Sequence, residues 1–243
     1  MKIIDVSKHN GTIDWNKVKA SGVDGVIIRA GYGRLLSQKD KPFDSNYEGA
    51  VAAGLHVGAY WYSYADTPAD AKLEAEVFLE AIKGKKFDLP VYFDIEEPKH
   101  LTFGKTTCTA MTEAFCTTME NAGYFCGVYS FDSFFATNLY ADIQDKYSCC
   151  VARVDGKKPQ NCSAYGMWQY SWKASINGIS GAVDISECYK DFPGIIKNAG
   201  LNGYGKADTY AVKAEISGIS SVQAGKIKSS CLEMGMTVKQ EKE

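Results

Sequence analysis

The chain has 243 residues, 27 Lys and Arg against 29 Asp and Glu, a formal net charge of -2 and 8 cysteines. Its 45% apolar and 23% charged residues are ordinary for a globular protein and exclude a disordered chain or a collagen-like fibre. The balanced charge gives no electrostatic case for nucleic acid, and no apolar run is long enough to cross a bilayer, so we expect neither nucleic acid nor a membrane as partner.

Short apolar runs alternate with stretches of helical period through the first part of the chain. A junction containing two glycines recurs three times, and Gly123 with Gly127 is the third case. The first glycine suits a left-handed residue after a helix, and the second lets the next strand approach its neighbours closely. These repeated units predict parallel strands with right-handed crossovers. The predicted strands are 3–7, 25–30, 56–65, 89–96 and 125–131; the helices after them are 14–20, 46–53, 68–82, 106–122 and 133–140.

After about residue 145 the pattern changes to strands with few helices between them. The predicted strands are 148–154, 166–172 and 182–188. An α/β fold, an irregular TIM-like (β/α)5(β)3 barrel over residues 1–200, fits this order. An open, doubly wound sheet is the alternative.

Residues 205–243 are predicted to form a separate, small β-α-β appendage. Its strands are expected at 210–217 and 236–240, with a helix at 221–234 between them. Ser220 and Gln223 match a capping box, and Gly235 matches a C-terminal stop. A segment of this length cannot bury much of a hydrophobic core by itself. Residues 205–243 must therefore dock on the barrel, pair with another copy of the chain, or be the start of a longer domain.

Two acidic residues share one face of the strand predicted at 89–96. Because side chains alternate along a strand, Tyr92, Asp94 and Glu96 face one side and the apolar residues between them face the other. The Cα atoms of Asp94 and Glu96 should lie about 6–7 Å apart, within reach of the carboxyl separations that glycosidases use. Barrel enzymes place catalytic groups at such strand ends.

Asp5 and Asp184 lie in similar apolar surroundings on the first and last predicted strands. A carboxylate among Val and Ile is costly to bury unless it faces a wet or hydrogen-bonding site. We therefore expect four acids at one barrel mouth, where their proximity raises the pKa of at least one. Aromatic strand residues suit the faces of sugars, although tyrosine-rich strands are also simply good strands.

Several motifs occur in a fixed order and together match a known family. They are Asp5-Val6-Ser7 with Asn10-Gly11 and Asp14-Trp15, Ile28-Arg29-Ala30 with Gly31-Tyr32-Gly33, Gly58-Ala59-Tyr60, Asp94-Ile95-Glu96, Trp168-Gln169-Tyr170 and Val183-Asp184. Over residues 1–195 the chain resembles the glycoside hydrolase family 25 lysozymes, the Chalaropsis-type muramidases common among phage endolysins and bacterial autolysins.

The resemblance implies cleavage of the β-1,4 bond between N-acetylmuramic acid and N-acetylglucosamine in bacterial peptidoglycan. It makes Glu96 the general acid/base and Asp94 its companion, either as nucleophile or as the group that steadies a substrate-assisted oxazolinium. Asp5 and Asp184 would complete the acidic floor. Residues 205–243 would be a cell-wall-binding or self-associating module. The candidate sugar contacts are Arg29, Tyr60, Tyr62, Tyr129, Trp168 and Tyr170.

Two other functions are compatible with such a barrel. One is a non-catalytic wall-binding barrel, which the presence of all four acids disfavours. The other is a chitinase-like glycosidase, which usually carries a longer Asp-x-x-Asp-x-Asp-x-Glu motif that this chain lacks. His9, His56 and His100 show no metal-ligand spacing, so no metal and no cofactor are expected.

The start of the chain shows no secretory signal pattern. Action on the cell wall would then require a phage lysin released through a holin pore, or a secreted enzyme trimmed of its leader. The eight cysteines contain no Cys-x-x-Cys pair, and we expect mostly free, buried thiols.

Overall fold

The computed structural model describes residues 1–205 and 218–233. Eight strands close into a barrel, in the order in which they follow one another along the chain. They are β1 (Lys2–Val6), β2 (Gly25–Tyr32), β3 (His56–Tyr62), β4 (Val91–Asp94), β5 (Cys126–Phe131), β6 (Ser148–Ala152), β7 (Tyr165–Ala174) and β8 (Val183–Cys188). The predicted α/β barrel is confirmed, and the alternative of an open sheet is wrong.

Seven α-helices accompany the strands within residues 1–205. They are α1 (Trp15–Ala20), α2 (Phe43–Ala52), α3 (Pro68–Ala81), α4 (Lys105–Asn121), α5 (Asp132–Thr137), α6 (Ile143–Lys146) and α7 (Phe192–Ala199). The first five match the predicted helices with small shifts at their ends. We predicted neither α6 nor α7, although the start of α7 has a sequence signal: Asp191 accepts a hydrogen bond from Gly194 N, and Pro193 occupies the first turn.

The direction of β8 sets this barrel apart from a fully parallel one. Each pair of neighbours from β1 to β7 is parallel, whereas β8 runs antiparallel to both β7 and β1. The N-terminal end of β8 therefore lies beside the C-terminal end of β1, where Asp184 is directly opposite Asp5. At the active-site end of a fully parallel barrel, every strand presents its C-terminal end.

Alternation along β4 divides its side chains between the outer core and the barrel interior. Phe93 is fully buried outside the barrel, with its ring centroid 4.4 Å from that of Phe115 on α4. Burying one such ring contributes about 2–3 kcal/mol. Tyr92 belongs to the inner cluster instead. This packing holds β4 in the register that turns Asp94 toward the interior.

The glycine junctions behave as the sequence predicts. Gly123, after α4, has a φ of 84°, in the left-handed region. At Gly127 a Cβ atom would lie 2.5 Å from the Ser148 carbonyl oxygen and 2.6 Å from the Tyr92 ring, so no side chain fits. The missing side chain lets the Tyr92 ring lie against β5, inside the barrel.

The chain divides into two compact units near residue 207. In the second unit the structure describes α8 (Ser221–Glu233), which confirms the predicted helix. The capping box is present: Gln223 N donates to Ser220 Oγ (3.3 Å) and Ser220 N to Gln223 Oε1 (2.9 Å). The strands predicted at 210–217 and 236–240 and the stop at Gly235 lie outside the described residues. Among the helices described, none has the length and apolarity needed to cross a bilayer.

The cysteines are free, and all except the partly exposed Cys231 are buried, as predicted. Cys149 and Cys150 face opposite sides of β6. Cys149 belongs to the outer core, and Cys150 belongs to the inner cluster.

Asn202 ties the segment after α7 to the barrel. Its Oδ1 accepts a hydrogen bond from Phe125 N (2.6 Å), and its Nδ2 donates to Leu89 O (3.0 Å). The residue is fully buried and has a φ of 53°, a conformation that asparagine tolerates better than most residues. Asn202 therefore connects the segments that immediately precede β4 and β5.

We expect Asn202→Ala to lower the free energy of unfolding by about 3 kcal/mol, because two buried backbone groups lose their partners and alanine disfavours this φ. Urea unfolding followed by circular dichroism measures the change. Asn198→Ala, on the exposed side of α7, serves as the control and should change stability by less than about 0.5 kcal/mol. Equal stability of the two variants would contradict the role given to Asn202.

Candidate active site

A pocket of about 140 Å³ opens into the barrel interior. Strands β1 to β5 end around it, so their last inward-facing side chains form much of its wall. Four of its residues are acidic, and we call it the acidic pocket. It is lined by Ile3, Asp5, Ile27, Arg29, Tyr60, Tyr62, Tyr92, Asp94, Glu96, Tyr129, Cys150, Met167, Asp184 and Ser186.

Asp94 and Glu96 reach the pocket from the end of β4. Asp94 is the last residue of the strand, and its cross-strand neighbours are Tyr62 on β3 and Tyr129 on β5. The predicted strand 89–96 was too long at both ends, since β4 spans Val91–Asp94. A hydrogen bond from Ile95 N to Tyr129 O (3.1 Å) keeps the chain alongside β5 past the strand end. Glu96 therefore still faces the same pocket as Asp94.

Asp5 and Asp184 form the opposite side of the pocket and are hydrogen-bonded to each other. A hydrogen bond between two carboxyl groups requires that one of them is protonated. The pKa of Asp5 is well above its ordinary value because of burial and the charge of Asp184. Burial also raises the pKa of Asp184, while its hydrogen bond with Asp5 opposes the rise. The pKa is therefore raised at both carboxyls, and more strongly at Asp5 than at Asp184.

Asp94 is the most deeply buried of the four acids, with 3% of its surface exposed. Burial first, then the charges of Glu96 and Asp5, raise its pKa well above the ordinary value. The Arg29 guanidinium acts in the opposite direction and favours the carboxylate. The buried Oδ1 atom of Asp94 has no hydrogen-bond partner within the described residues. A buried oxygen without a partner makes ionisation of Asp94 more costly, in agreement with its raised pKa.

Glu96 is partly exposed at the mouth of the pocket. Burial, followed by the charges of Asp184 and Glu97, raises its pKa to about 7. No cation opposes these effects, and its carboxyl makes no side-chain hydrogen bond to any residue that the structure describes. A carboxyl of this kind exchanges a proton near neutral pH and can reach a ligand with both oxygens.

Four of the six predicted sugar contacts line the pocket: Arg29, Tyr60, Tyr62 and Tyr129. Burial raises the pKa of Tyr60 and Tyr129, and the neighbouring acids raise it further, so both hydroxyls keep their protons. The Tyr129 hydroxyl donates to Gln169 Oε1 (2.7 Å). The Tyr62 hydroxyl donates to Glu97 Oε1 (3.0 Å). The pocket wall thus offers hydroxyl groups between the acids.

Trp168 and Tyr170 do not line this pocket. Trp168 Nε1 donates to Arg153 O (2.9 Å), and Tyr170 packs against the outer core. The residue between them, Gln169, faces the interior instead and is 1% exposed. Alternation allows either face of β7 to point inward, and the aromatic side chains predicted as sugar contacts lie on the outer face.

Gln169 and Asp40 support the site although the sequence analysis did not identify them. Gln169 Nε2 donates to Asp5 Oδ2 (2.8 Å), which orients that carboxyl. Asp40 Oδ2 accepts from Arg29 Nε (2.9 Å), and Asp40 is 3% exposed. A polar residue between the aromatics of 168–170 was the available signal for Gln169. Asp40 follows β2 in a loop, and nothing in the local sequence marks it.

Within residues 1–205 and 218–233, no three His, Cys, Asp or Glu side chains are grouped as ligands of a metal ion would be. The acids of the pocket interact instead with one another, with Arg29 and with Gln169.

Comparison with known proteins links this geometry to a family. The family model described as "Glycosyl hydrolases family 25" matches residues 4–179. The "Autolytic lysozyme" of Clostridium acetobutylicum is 34% identical over 189 residues, which cover 77% of this chain and 55% of that protein. The "Lysozyme M1" of Streptomyces globisporus is 27% identical over 194 residues, covering 74% of this chain and 65% of that protein.

Solved structures show the same architecture. The modular autolysin LytC from Streptococcus pneumoniae superposes with a TM-score of 0.68 at 34% identity, covering 76% of this chain and 46% of that one. A bacterial lysozyme from Streptomyces coelicolor superposes with a TM-score of 0.71 at 24% identity, covering 84% and 98% of the two chains, and supports the fold alone. The chain spans about half the length of the autolytic lysozyme and of LytC.

Replacing Asp184 should change the proton affinity of Glu96. We expect Asp184→Asn to lower the pKa of Glu96 from about 7, by roughly one unit, because the variant removes a negative charge that favours the protonated form. Titration of the Glu96 carboxyl carbon by NMR measures the shift. Asp155→Asn removes a charge from an exposed loop and serves as the control. An unchanged Glu96 pKa in Asp184→Asn would show that the two carboxyls do not interact.

Proposed function

The chain belongs to glycosyl hydrolase family 25, and we propose that it is a lysozyme that hydrolyses the β-1,4 bond between N-acetylmuramic acid and N-acetylglucosamine in bacterial peptidoglycan. The observation that carries this proposal is the meeting of Asp5, Asp94, Glu96 and Asp184 in one pocket, with the pKa of Glu96 at about 7. A carboxyl with this pKa is substantially protonated near neutral pH, as a general acid must be.

Glu96 is the proposed general acid/base. Its carboxyl donates a proton to the oxygen that links the two sugars, and the bond from that oxygen to the anomeric carbon breaks. Water then adds to the anomeric carbon and returns a proton to the Glu96 carboxylate, which restores the enzyme. The position of Glu96 at the mouth, with no hydrogen bond in the described residues, supports this role.

Asp94 is the proposed partner of Glu96. Positive charge develops at the anomeric carbon as the bond breaks, and a buried carboxylate stabilises that charge strongly. Arg29 favours the ionised form of Asp94, whereas no cation favours ionisation of Glu96. Asp94 acts either by attacking the anomeric carbon or by steadying an oxazolinium formed by the substrate's own acetamido group.

Asp5 and Asp184 are proposed to orient water or sugar hydroxyls and to raise the pKa of Glu96. The contact between the two carboxyls, together with the hydrogen bond from Gln169 Nε2 to Asp5, holds them in place. Arg29, Tyr60, Tyr62 and Tyr129 are the proposed contacts to the sugar in the pocket. Trp168 and Tyr170, whose ring centroids lie 5.7 Å apart on β7, remain proposed contacts outside it.

The two units of the chain receive different roles in this proposal. Residues 1–200 form the catalytic barrel, and residues 205–243 form a module that binds the cell wall or joins copies of the chain. The division into two compact units near residue 207 supports this assignment. The site of action is the bacterial cell wall, reached either through a holin pore or by secretion.

We expect Glu96→Gln to release reducing ends from purified cell walls at least 1,000-fold more slowly than the unaltered protein, because glutamine has no acidic proton to donate. A reducing-sugar assay measures the rate, and mass spectrometry of the released fragments identifies the bond that is cut. Glu76→Gln, on the exposed face of α3, is the matched control and should be fully active.

The outcomes separate the candidate functions. Full turnover by Glu96→Gln would exclude Glu96 as the acid. Binding of walls without any release of reducing ends by the unaltered protein would indicate a non-catalytic barrel. Faster cleavage of chitin oligomers than of peptidoglycan would indicate a chitinase.

The pH profile provides an independent test. Because the acid must be protonated in the free enzyme, we expect kcat/KM on peptidoglycan to fall as pH rises through about 7. The falling limb should move to lower pH in Asp184→Asn, whatever the absolute rate of that variant, since the pKa of Glu96 is lower there. Initial rates measured from pH 4 to 9 locate the falling limb in the unaltered protein and in Asp184→Asn. A limb at the same pH in both proteins would assign the titration to another group.

A further inference from the structure

A second cavity, of about 390 Å³, adjoins the acidic pocket and shares Arg29 and Tyr62 with it. We call it the Lys8 pocket. Its chemistry is the reverse of that of its neighbour, because its lining contains basic and aromatic residues and no acid. The lining residues are Lys8, His9, Arg29, Tyr32, Tyr62 and Tyr64.

The two cations of the Lys8 pocket differ in their partners, because Arg29 is paired with a carboxylate and Lys8 is not. The exposed Lys8 ammonium lies 4.9 Å from the centroid of the Tyr32 ring and forms no ion pair with any residue that the structure describes. Arg29 is paired with Asp40 through Nε, while its buried Nη2 has no hydrogen-bond partner among the described residues. Lys8 thus keeps its N–H groups free for an anion, and Arg29 adds positive charge beside it together with one buried nitrogen that lacks a partner.

The backbone that carries Lys8 is fixed from two sides. Lys8 N donates to Asp40 Oδ2 (2.9 Å), the same oxygen that accepts from Arg29 Nε. Ser7 N donates to Asn10 Oδ1 (2.8 Å), which closes the short helical turn that holds Lys8 and His9. Asp40 therefore sets the spacing between the Lys8 segment and Arg29. A site arranged in this way loses little entropy when an anion binds.

Three tyrosines form the other side of the pocket. Tyr64 contacts both Tyr32 and Tyr62, with ring centroids 5.8 Å and 5.3 Å apart. Glu97, beside these tyrosines, accepts the hydroxyl proton of Tyr62 (3.0 Å) and also interacts with the Tyr64 hydroxyl. The hydroxyl groups of Tyr62 and Tyr64 therefore partly compensate the negative charge of Glu97.

We propose that the Lys8 pocket binds a carboxylate of the peptide attached to the muramyl sugar whose bond is cut. This inference rests on the proposed function. That sugar bears a lactyl ether, on the same ring as the reacting carbon, and a peptide with free carboxylates extends from it. The acidic pocket repels such a group, whereas the adjoining Lys8 pocket attracts it. Because Arg29 and Tyr62 line both pockets, one substrate molecule can contact the two pockets at the same time.

The test compares two forms of one substrate. Soluble glycan strands, freed of phosphate-containing wall polymers, are used either with their peptides or after an amidase has removed them. For each protein, the quantity of interest is kcat/KM on peptide-bearing strands divided by kcat/KM on peptide-free strands. We expect Lys8→Gln to lower this ratio about fivefold, mainly through KM, because one exposed charge pair is lost. Lys8→Arg should restore it.

Lys19→Gln removes the same charge from an exposed position on α1 and should leave the ratio unchanged. An unchanged ratio in Lys8→Gln overturns the proposal. So does equal slowing on both substrates, which would place the glycan itself in the pocket. An effect seen only on walls that keep their phosphate polymers would assign the pocket to those polymers and also overturn it. If the unaltered protein cuts neither strand, the proposed function fails instead.

Discussion

Four carboxyl groups occupy a barrel interior that is too narrow for all of them to be ionised at once. Like charges at short range in a poorly hydrated space raise one another's pKa, so the protons must be distributed unequally. The pKa is raised at all four acids, Arg29 is the cation that opposes the rise at Asp94, and no cation opposes it at Glu96. Asp94 and Glu96 thereby differ in their surroundings, although all four residues have similar intrinsic acidity.

This crowding depends on the reversal of the last strand. Had β8 run parallel to its neighbours, the second residue of the strand, Asp184, would lie at the far end of the barrel from Asp94. Antiparallel pairing with β1 instead sets Asp184 opposite Asp5. The departure from a regular barrel is therefore part of the site's electrostatics, because it adds the charge that acts on both Asp5 and Glu96.

Arg29 connects the acidic interior with the basic rim. Its guanidinium faces Asp94 on one side and contributes to the Lys8 pocket on the other. Asp40, which is nearly inaccessible to solvent, holds Arg29 Nε and the Lys8 backbone through one oxygen. A single buried ion pair thus positions groups in two adjoining cavities. The lining is acidic on one side of Arg29 and basic on the other. A substrate that carries a carboxylate beside its sugar ring is complementary to this arrangement.

The sequence by itself determined where the strands lie along the chain, the inward face of β4 and the identity of the four acids. Each of these follows from local periodicity: alternation places Asp94 and Glu96 together, and the glycine junctions separate helices from strands. Only the tertiary structure decided which face of β7 points inward, that Asp40 supports Arg29, and how the acids share protons. These features depend on packing and on charges far apart in the chain, such as Asp5 and Asp184, and no local pattern encodes the distance between them.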